Sequence, residues 1–407
     1  MEARKKWDLI SIASIPLTMT LANSMLIPVL PAMQKALNIT SLQASLIITA
    51  YAAVAILFIP FAGYLSDRFS RKAVILPALI LVSLSGAGAG FAALWLKDQA
   101  YAYILVARLI QGLGSAGCFP VVLPLVGDLF RSDEDVSNGL GLVETANTFG
   151  KVVSPILGAT LAIWTWYIPF FAIPVFSLIS FVLVLFLVKT PAQDSEGSDK
   201  TKKTKLKPFL QALFALLRKE GKWLYGIFAI GGISMFIVFG SLFYLSETLE
   251  NRGFKPINKG LILALPLAGL CIVSYLSGKW IGQNKQVMKW TSLAGLLISS
   301  AALYVLGFMT WNPSWLIVLI LAFASAGIGA ALPSLDALIT EGIDKKQRGT
   351  VTSLYSSMRF IGVAAGPPVM ALLMRGSIPV LFFVIATASL IAAIINAFAI
   401  RPESKPR

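Results

Sequence analysis

The chain of 407 residues is 57% hydrophobic and only 13% charged, and its 34 Lys and Arg against 19 Asp and Glu give a formal net charge of +15. Soluble domains carry roughly 25% charged residues, and a soluble fold of this length has too little interior to hide so much apolar side chain. A soluble enzyme and a disordered protein are therefore excluded, leaving an all-α integral membrane protein of many spans. The positive balance is assigned to loops at a membrane surface rather than to nucleic acid. Histidine is absent, and the two cysteines, Cys118 and Cys271, lie inside apolar runs. Neither a metal, a cofactor nor a disulfide framework is expected.

Arg4, Lys5 and Lys6 precede an apolar run that continues to Leu30. That run exceeds the 7–15 residues of a signal-peptide core, so it reads as an uncleaved first span. Twelve runs of membrane-spanning length follow one another at about 8–30, 42–64, 73–95, 101–126, 138–161, 168–188, 223–246, 260–281, 289–309, 314–339, 350–373 and 378–400. With both termini on one side, 25 of the basic residues fall on that side, 6 on the other and 3 within spans. The bias predicts cytoplasmic termini and a multi-pass protein of the plasma membrane.

Residues 189–222 form the longest connection. Its first part is polar and Lys-rich, the composition of a flexible linker. Phe209, Leu210, Leu213, Phe214, Leu216 and Leu217 then recur at helical spacing beside Arg218 and Lys219, predicting an amphipathic helix on the membrane surface. The expected division is a six-helix bundle over 1–188, a cytoplasmic linker over 189–222 and a second six-helix bundle over 223–407. Gly150, Ser154 and Pro155 in span five match Gly362, Gly366 and Pro367 in span eleven at a constant offset. Two related bundles with a site between them is an architecture of secondary transporters.

The loop after span two reads Gly63-Tyr64-Leu65-Ser66-Asp67-Arg68-Phe69-Ser70-Arg71-Lys72. Here the chain resembles the major facilitator superfamily, whose loop signature is G-x-L-x-D-R-x-G-R-[KR], with Ser70 where Gly is usual. Span one has Leu21-Ala22 followed by Pro28 and Pro31, span four has Arg108-x-x-Gln111-Gly112-x-Gly114, and span five has Gly150, Pro155 and Gly158. These are similar to motifs of the twelve-span drug/proton antiporters, with Ser154 and Ala159 replacing two glycines. The resemblance implies a major facilitator fold of two pseudo-symmetric six-helix bundles. It also implies a cytoplasmic gate built from Gly63, Asp67, Arg68, Arg71 and Lys72, and a role for Arg108 in a proton- and substrate-linked core. It links the span-five motif to leak prevention and so to export.

Ionisable residues at membrane depth are costly and usually face a cavity. Glu144 and Lys151, seven residues apart, lie on one face of a helix about 10.5 Å apart along its axis. Asn147 and Thr148 fall between them. Glu144 either forms a structural ion pair, with Lys151 through Asn147 or with Arg108, or titrates as the lobes change state. Arg108, Gln111, Asn23 and Arg359 complete the candidate cavity. Asp336 reads as an ordinary helix-end charge. Drug antiporters of this kind often carry an acid in span one, where this chain has only Asp8 at the edge and Asn23 deeper. The deep charges are mostly positive, which favours neutral or anionic cargo.

The function expected is proton-coupled efflux of small amphipathic compounds by a monomer, with protons, a small-molecule substrate and the bilayer as partners. A dedicated exporter or importer of a metabolite, sugar, siderophore or organic anion is the alternative, and a lipid flippase or scramblase the alternative of another class. No enzymatic motif is present: the chain has no phosphate-binding loop, no G-x-S-x-G and no H-E-x-x-H.

Overall fold

The computed structural model of the protein describes residues 3–129, 133–188, 221–282, 284–309, 313–343 and 345–400, and every regular element among them is helical. The first span is broken. Helix α1 (Ala3–Ser24) gives way to a 3-10 turn at Ile27–Val29, then to α2 (Leu30–Leu37). Pro28 and Pro31 lack amide hydrogens, so the chain re-starts a helix there instead of extending one. The rest of the first half comprises α3 (Ser41–Arg68), α4 (Arg71–Trp95), α5 (Ala100–Leu129), α6 (Asp133–Leu161) and α7 (Ile168–Phe186). The second half comprises α8 (Gly221–Asn251), α9 (Pro256–Ile281), α10 (Lys285–Phe308), α11 (Ser314–Gly342), α12 (Lys345–Leu373) and α13 (Ile378–Ala399).

Local sequence explains several starts. Thr40 and Gln43 form a reciprocal capping box at the head of α3. Asn284 caps α10 by accepting from the amides of Gln286 and Val287. Ser70 caps α4, its Oγ accepting from the Ala73 amide at 3.1 Å. Ser70 itself is in extended backbone, with φ 175°. The turn therefore needs no glycine, and the hydroxyl that departs from the loop signature supplies a cap that glycine could not.

Among the described residues, eleven spans are long and apolar enough to cross a membrane, counting α1 and α2 as one. Helix α6 has the length, at 29 residues, but carries the polar stripe of Glu144, Asn147, Thr148 and Lys151. Helix α8 runs on to Asn251, past the expected edge at 246, because Glu247 and Glu250 are held by partners across the fold. The linker and its expected amphipathic helix lie outside the described residues, except for Gly221 and Lys222, which open α8.

Helix pairing repeats between the halves. In the first, α1 packs on α6 and α7, α5 on α3 and α4, and α4 on α7. In the second, α8 packs on α12 and α13, α11 on α9 and α10, and α10 on α13. The two bundles meet through a matching pair of contacts, α3 with α12 and α6 with α9. Glycines on α6 and α12 allow close packing against the neighbouring helices. A Cβ at Gly158 would collide with the Met25 carbonyl oxygen on the first span, and one at Gly150 would stand 3.1 Å from Leu17 Cδ1. A Cβ at Gly362 would collide with the Gly232 carbonyl oxygen, and one at Gly366 would lie 2.8 Å from that of Phe236. Large apolar side chains such as Phe186, Phe308 and Phe398 are exposed on the outside of the bundles, where acyl chains replace water.

A polar cavity between two bundles

The interface between the bundles holds a cavity of about 90 Å³. Its walls come from both halves. Thr20, Asn23, Tyr51, Phe119, Asn147 and Lys151 belong to the first, and Met235, Phe239, Ser356, Arg359 and Phe360 to the second. Of the expected cavity residues, the structure places Asn23, Asn147, Lys151 and Arg359 in this lining. Arg108 and Gln111 lie behind it, and Glu144 precedes Lys151 on α6.

Arg108 is fully buried on α5. Its Nε donates to the Ile47 carbonyl at 3.0 Å and its Nη1 to the Ala22 carbonyl at 3.2 Å. Nη1 also donates to Gln111 Oε1 and Nη2 to Asn23 Oδ1, both at 2.6 Å. The guanidinium lies 4.5 Å from the centre of the Tyr51 ring, in cation–π range. Neutral acceptors on three helices thus solvate the charge. Among the described residues no carboxylate pairs with it, so the expected Arg108–Glu144 ion pair is not formed.

Glu144 is exposed. Asn147 Nδ2 donates to its two oxygens at 3.3 and 3.4 Å, and Thr148 Oγ1 to Oε1 at 3.4 Å. Thr20 Oγ1 in turn donates to Asn147 Oδ1 at 2.6 Å, tying the stripe to α1. No ion pair joins Glu144 to Lys151. The two lie on one face, but two helical turns separate their backbones, and Asn147 satisfies the carboxylate instead of bridging to the ammonium.

Asp336 is more than a helix-end charge in its placement: its Oδ1 stands 4.0 Å from Arg359 Nη1. Arg359 also lies 5.6 Å from the centre of the Tyr355 ring. From α8, Phe239 lines the pocket. Phe243 is buried, and Tyr244 packs edge-on against Phe382 at 5.0 Å, inside the second bundle.

The loop after α3 is partly assembled. Arg71 Nε pairs with Asp128 Oδ2 on α5 at 2.9 Å, and its Nη1 donates to Ser66 Oγ at 2.6 Å. Lys72 Nζ donates to the carbonyls of Leu185 and Val188 at 2.7 and 2.9 Å, where the C-terminal end of α7 favours a cation. Arg68 is exposed and lies 5.6 Å from the centre of the Phe69 ring. A Cβ on Gly63 would stand 3.7 Å from Ser353 Oγ of the second bundle. The side chain of Asp67 lies outside the described residues.

A network that the sequence did not single out closes the opposite end. Gln34 donates to Glu247, and Ser41 Oγ to Gln34 Oε1 at 2.9 Å. Glu250 pairs with Lys35 at 2.7 Å and with Lys259 at 3.1 Å. Lys259 is only 2% exposed. Ser246 Oγ donates to the Ile27 carbonyl at 3.0 Å, and Thr49 Oγ1 to the Ala364 carbonyl at 2.6 Å. Nearby, a Cβ on Gly260 of α9 would sit 2.7 Å from the Pro155 carbonyl oxygen of α6. The signal available was two acids and a lysine on the side where charges are scarce. At the end bearing Arg71, by contrast, Gly141 on α6 has open space around it. The two bundles are tied together at the end beyond Asn23.

The sequence profile of the Major Facilitator Superfamily matches residues 12–311 and 286–407 of the chain. A bacillibactin exporter of Bacillus subtilis is 49% identical over 396 residues, covering 97% of this chain and 96% of that protein. Multidrug resistance protein 2 of Bacillus subtilis is 24% identical over 84% of this chain and 82% of its own length. Among solved structures, a D-xylose-proton symporter superposes with a TM-score of 0.77 at 15% identity, over 97% of this chain and 98% of its own. The two-bundle helical architecture and the match along the whole chain place this protein in the Major Facilitator Superfamily.

Proposed function

We propose that the protein is a secondary active exporter of a siderophore of the bacillibactin kind, working by alternating access. The observation that carries the mechanism is the cavity itself, walled by both bundles, with the bundles latched together at one end. The 49% identity to a bacillibactin exporter over nearly the full length supports the cargo. Multidrug-type efflux of small amphipathic compounds is the second reading, favoured by relatives such as multidrug resistance protein 2 at 24% identity.

In this reading residues 1–188 and 223–407 are the moving bodies, 189–222 is the cytoplasmic linker, and both termini are cytoplasmic in the cell membrane. The end bearing Arg71 then faces the cytoplasm, and the latched end faces outward. Glu144 is the proton-exchanging group. It is exposed and held by two neutral donors, so the carboxylate can gain a proton and release Asn147 without breaking an ion pair. Arg108 holds α1, α3 and α5 in register around the cavity. The membrane potential supplies about 2.3 kcal/mol per charge per 100 mV to such a cycle.

The test is export. A host lacking its own siderophore exporter and carrying this chain secretes bacillibactin, and the host with an empty vector does not. In proteoliposomes, an imposed pH gradient accelerates efflux by the wild type and not by Glu144→Gln. Secretion equal to the empty vector, alongside resistance to a panel of amphipathic drugs, replaces the siderophore reading by the multidrug one. Efflux that ignores the gradient in both proteins ends the proton-coupled reading.

A further inference from the structure

Two cations line the cavity, one from each bundle. Lys151 on α6 lines the cavity. Its ammonium makes no hydrogen bond or ion pair with any described residue, a costly state for a cation in the middle of a membrane protein. Arg359 on α12 lines the same cavity, and its nearest acid, Asp336, stands at 4.0 Å, the outer limit of an ion pair. Glu144 lies two helical turns from Lys151 and is occupied by Asn147 and Thr148. Arg108 adds positive charge behind Asn23. The charged side chains lining the cavity, Lys151 and Arg359, are both positive.

The other wall is aromatic. Phe119, Tyr51 and Phe360 form one cluster across the bundle interface, with Phe360 6.2 Å from Phe119 and 6.3 Å from Tyr51 between ring centres. Phe239 and Met235 face it from α8. Flat rings and a thioether beside two cations, of which Lys151 has no ion-pair partner among the described residues, suit a ligand that is both aromatic and anionic.

We propose that Lys151 and Arg359 form an anion clamp that binds an aromatic organic anion, its acidic group between the two cations and its ring against Phe119, Phe239 and Phe360. The proposal rests on the export reading and names the chemistry of its cargo. Because the clamp draws one cation from each bundle, the bound anion replaces a repulsion between the halves with an attraction, and cargo itself favours the state in which the halves approach.

The test uses purified full-length protein and three probes of one size: 1-naphthoate, 1-naphthalenemethanol and 1-naphthylmethylamine. Direct binding is expected for naphthoate at least about tenfold tighter than for the neutral or cationic probe, as one charge-assisted contact implies. Lys151→Met and Arg359→Gln each weaken naphthoate about tenfold and leave the neutral probe unchanged, while Lys151→Arg restores most of the affinity. Unchanged binding of the neutral probe shows that the variants are folded. Equal binding of all three probes, or naphthoate affinity indifferent to both substitutions, overturns the clamp. Bacillibactin export separates the two ideas. Export that survives both substitutions leaves the export reading standing and removes the clamp. Naphthoate selectivity without bacillibactin export keeps the clamp and removes that cargo.

Discussion

Arg108 Nη2 donates to Asn23 Oδ1 at 2.6 Å, and this bond fastens α5 to α1 directly behind the cavity wall. Asn23 is a neutral amide, so it accepts from the arginine without an ion pair. The guanidinium keeps its full charge, solvated by Ile47, Ala22 and Gln111. Lysine cannot reproduce that planar fork. Arg108→Lys is expected to reduce efflux at least tenfold and to lower the thermal unfolding temperature in detergent. Asn23→Ala strands one charged donor and costs about 1.5–3 kcal/mol. An Arg108→Lys protein as stable and as active as wild type contradicts this role.

The network at the closed end predicts two unequal mutational effects. Lys259 is buried against Glu250, and removing one partner of a buried pair costs about 3–5 kcal/mol. Lys35 reaches the same carboxylate from solvent, at 70% side-chain exposure, and such a surface pair contributes about 0–1 kcal/mol. Lys259→Met is therefore expected to open this end and Lys35→Met to leave it closed. The readout is disulfide crosslinking of Thr49→Cys with Ala364→Cys, whose wild-type groups are hydrogen-bonded at 2.6 Å. The yield falls with Lys259→Met and holds with Lys35→Met.

Gly158 on α6 and Gly362 on α12 each have a carbonyl oxygen of a neighbouring helix where a Cβ would go. Substituting leucine at either forces the helices apart, and such overpacking costs about 1–3 kcal/mol. Thermal unfolding followed by intrinsic fluorescence is expected to show a similar loss for Gly158→Leu and Gly362→Leu. Gly141→Ala, in open space, is expected to change nothing. A destabilised Gly141→Ala beside an unaffected Gly158→Leu reverses the packing scheme.

The loop after α3 predicts a loss of transport without a loss of fold. Asp67→Asn is expected to abolish efflux while the protein inserts and purifies normally. Asp128→Asn removes the described partner of Arg71, at 2.9 Å, and is expected to slow efflux less, since Ser66 Oγ still accepts from Arg71. Normal efflux by a stably expressed Asp67→Asn protein removes the gate role.

Span count, bundle number and fold class were readable because apolar run length is a property of the bilayer, not of tertiary contacts. The polar stripe of α6 was readable from helical spacing alone. Its pairing was not. Whether Glu144 finds Lys151, Arg108 or Asn147 depends on where α1 and α5 stand beside α6, and spacing within one helix carries no such information. Arg108 shows the same limit, since two of its acceptors, Ile47 and Ala22, are backbone carbonyls that no side-chain pattern reveals. The latch of Lys35, Glu250 and Lys259 was hidden for another reason: charges beside helix ends read as loop residues until a partner bundle buries them.

The central claim is that the two bundles rock about the cavity, closing one end as the other opens. Pulsed electron resonance between spin labels tests it directly, with labels at Trp95 and Trp315 for the latched end and at Phe69 and Trp280 for the opposite end, all four exposed. The native Cys118 and Cys271 are replaced by serine. On adding bacillibactin under a pH gradient, the first distance is expected to lengthen and the second to shorten. Two distances that stay fixed in a protein exporting its cargo contradict the account.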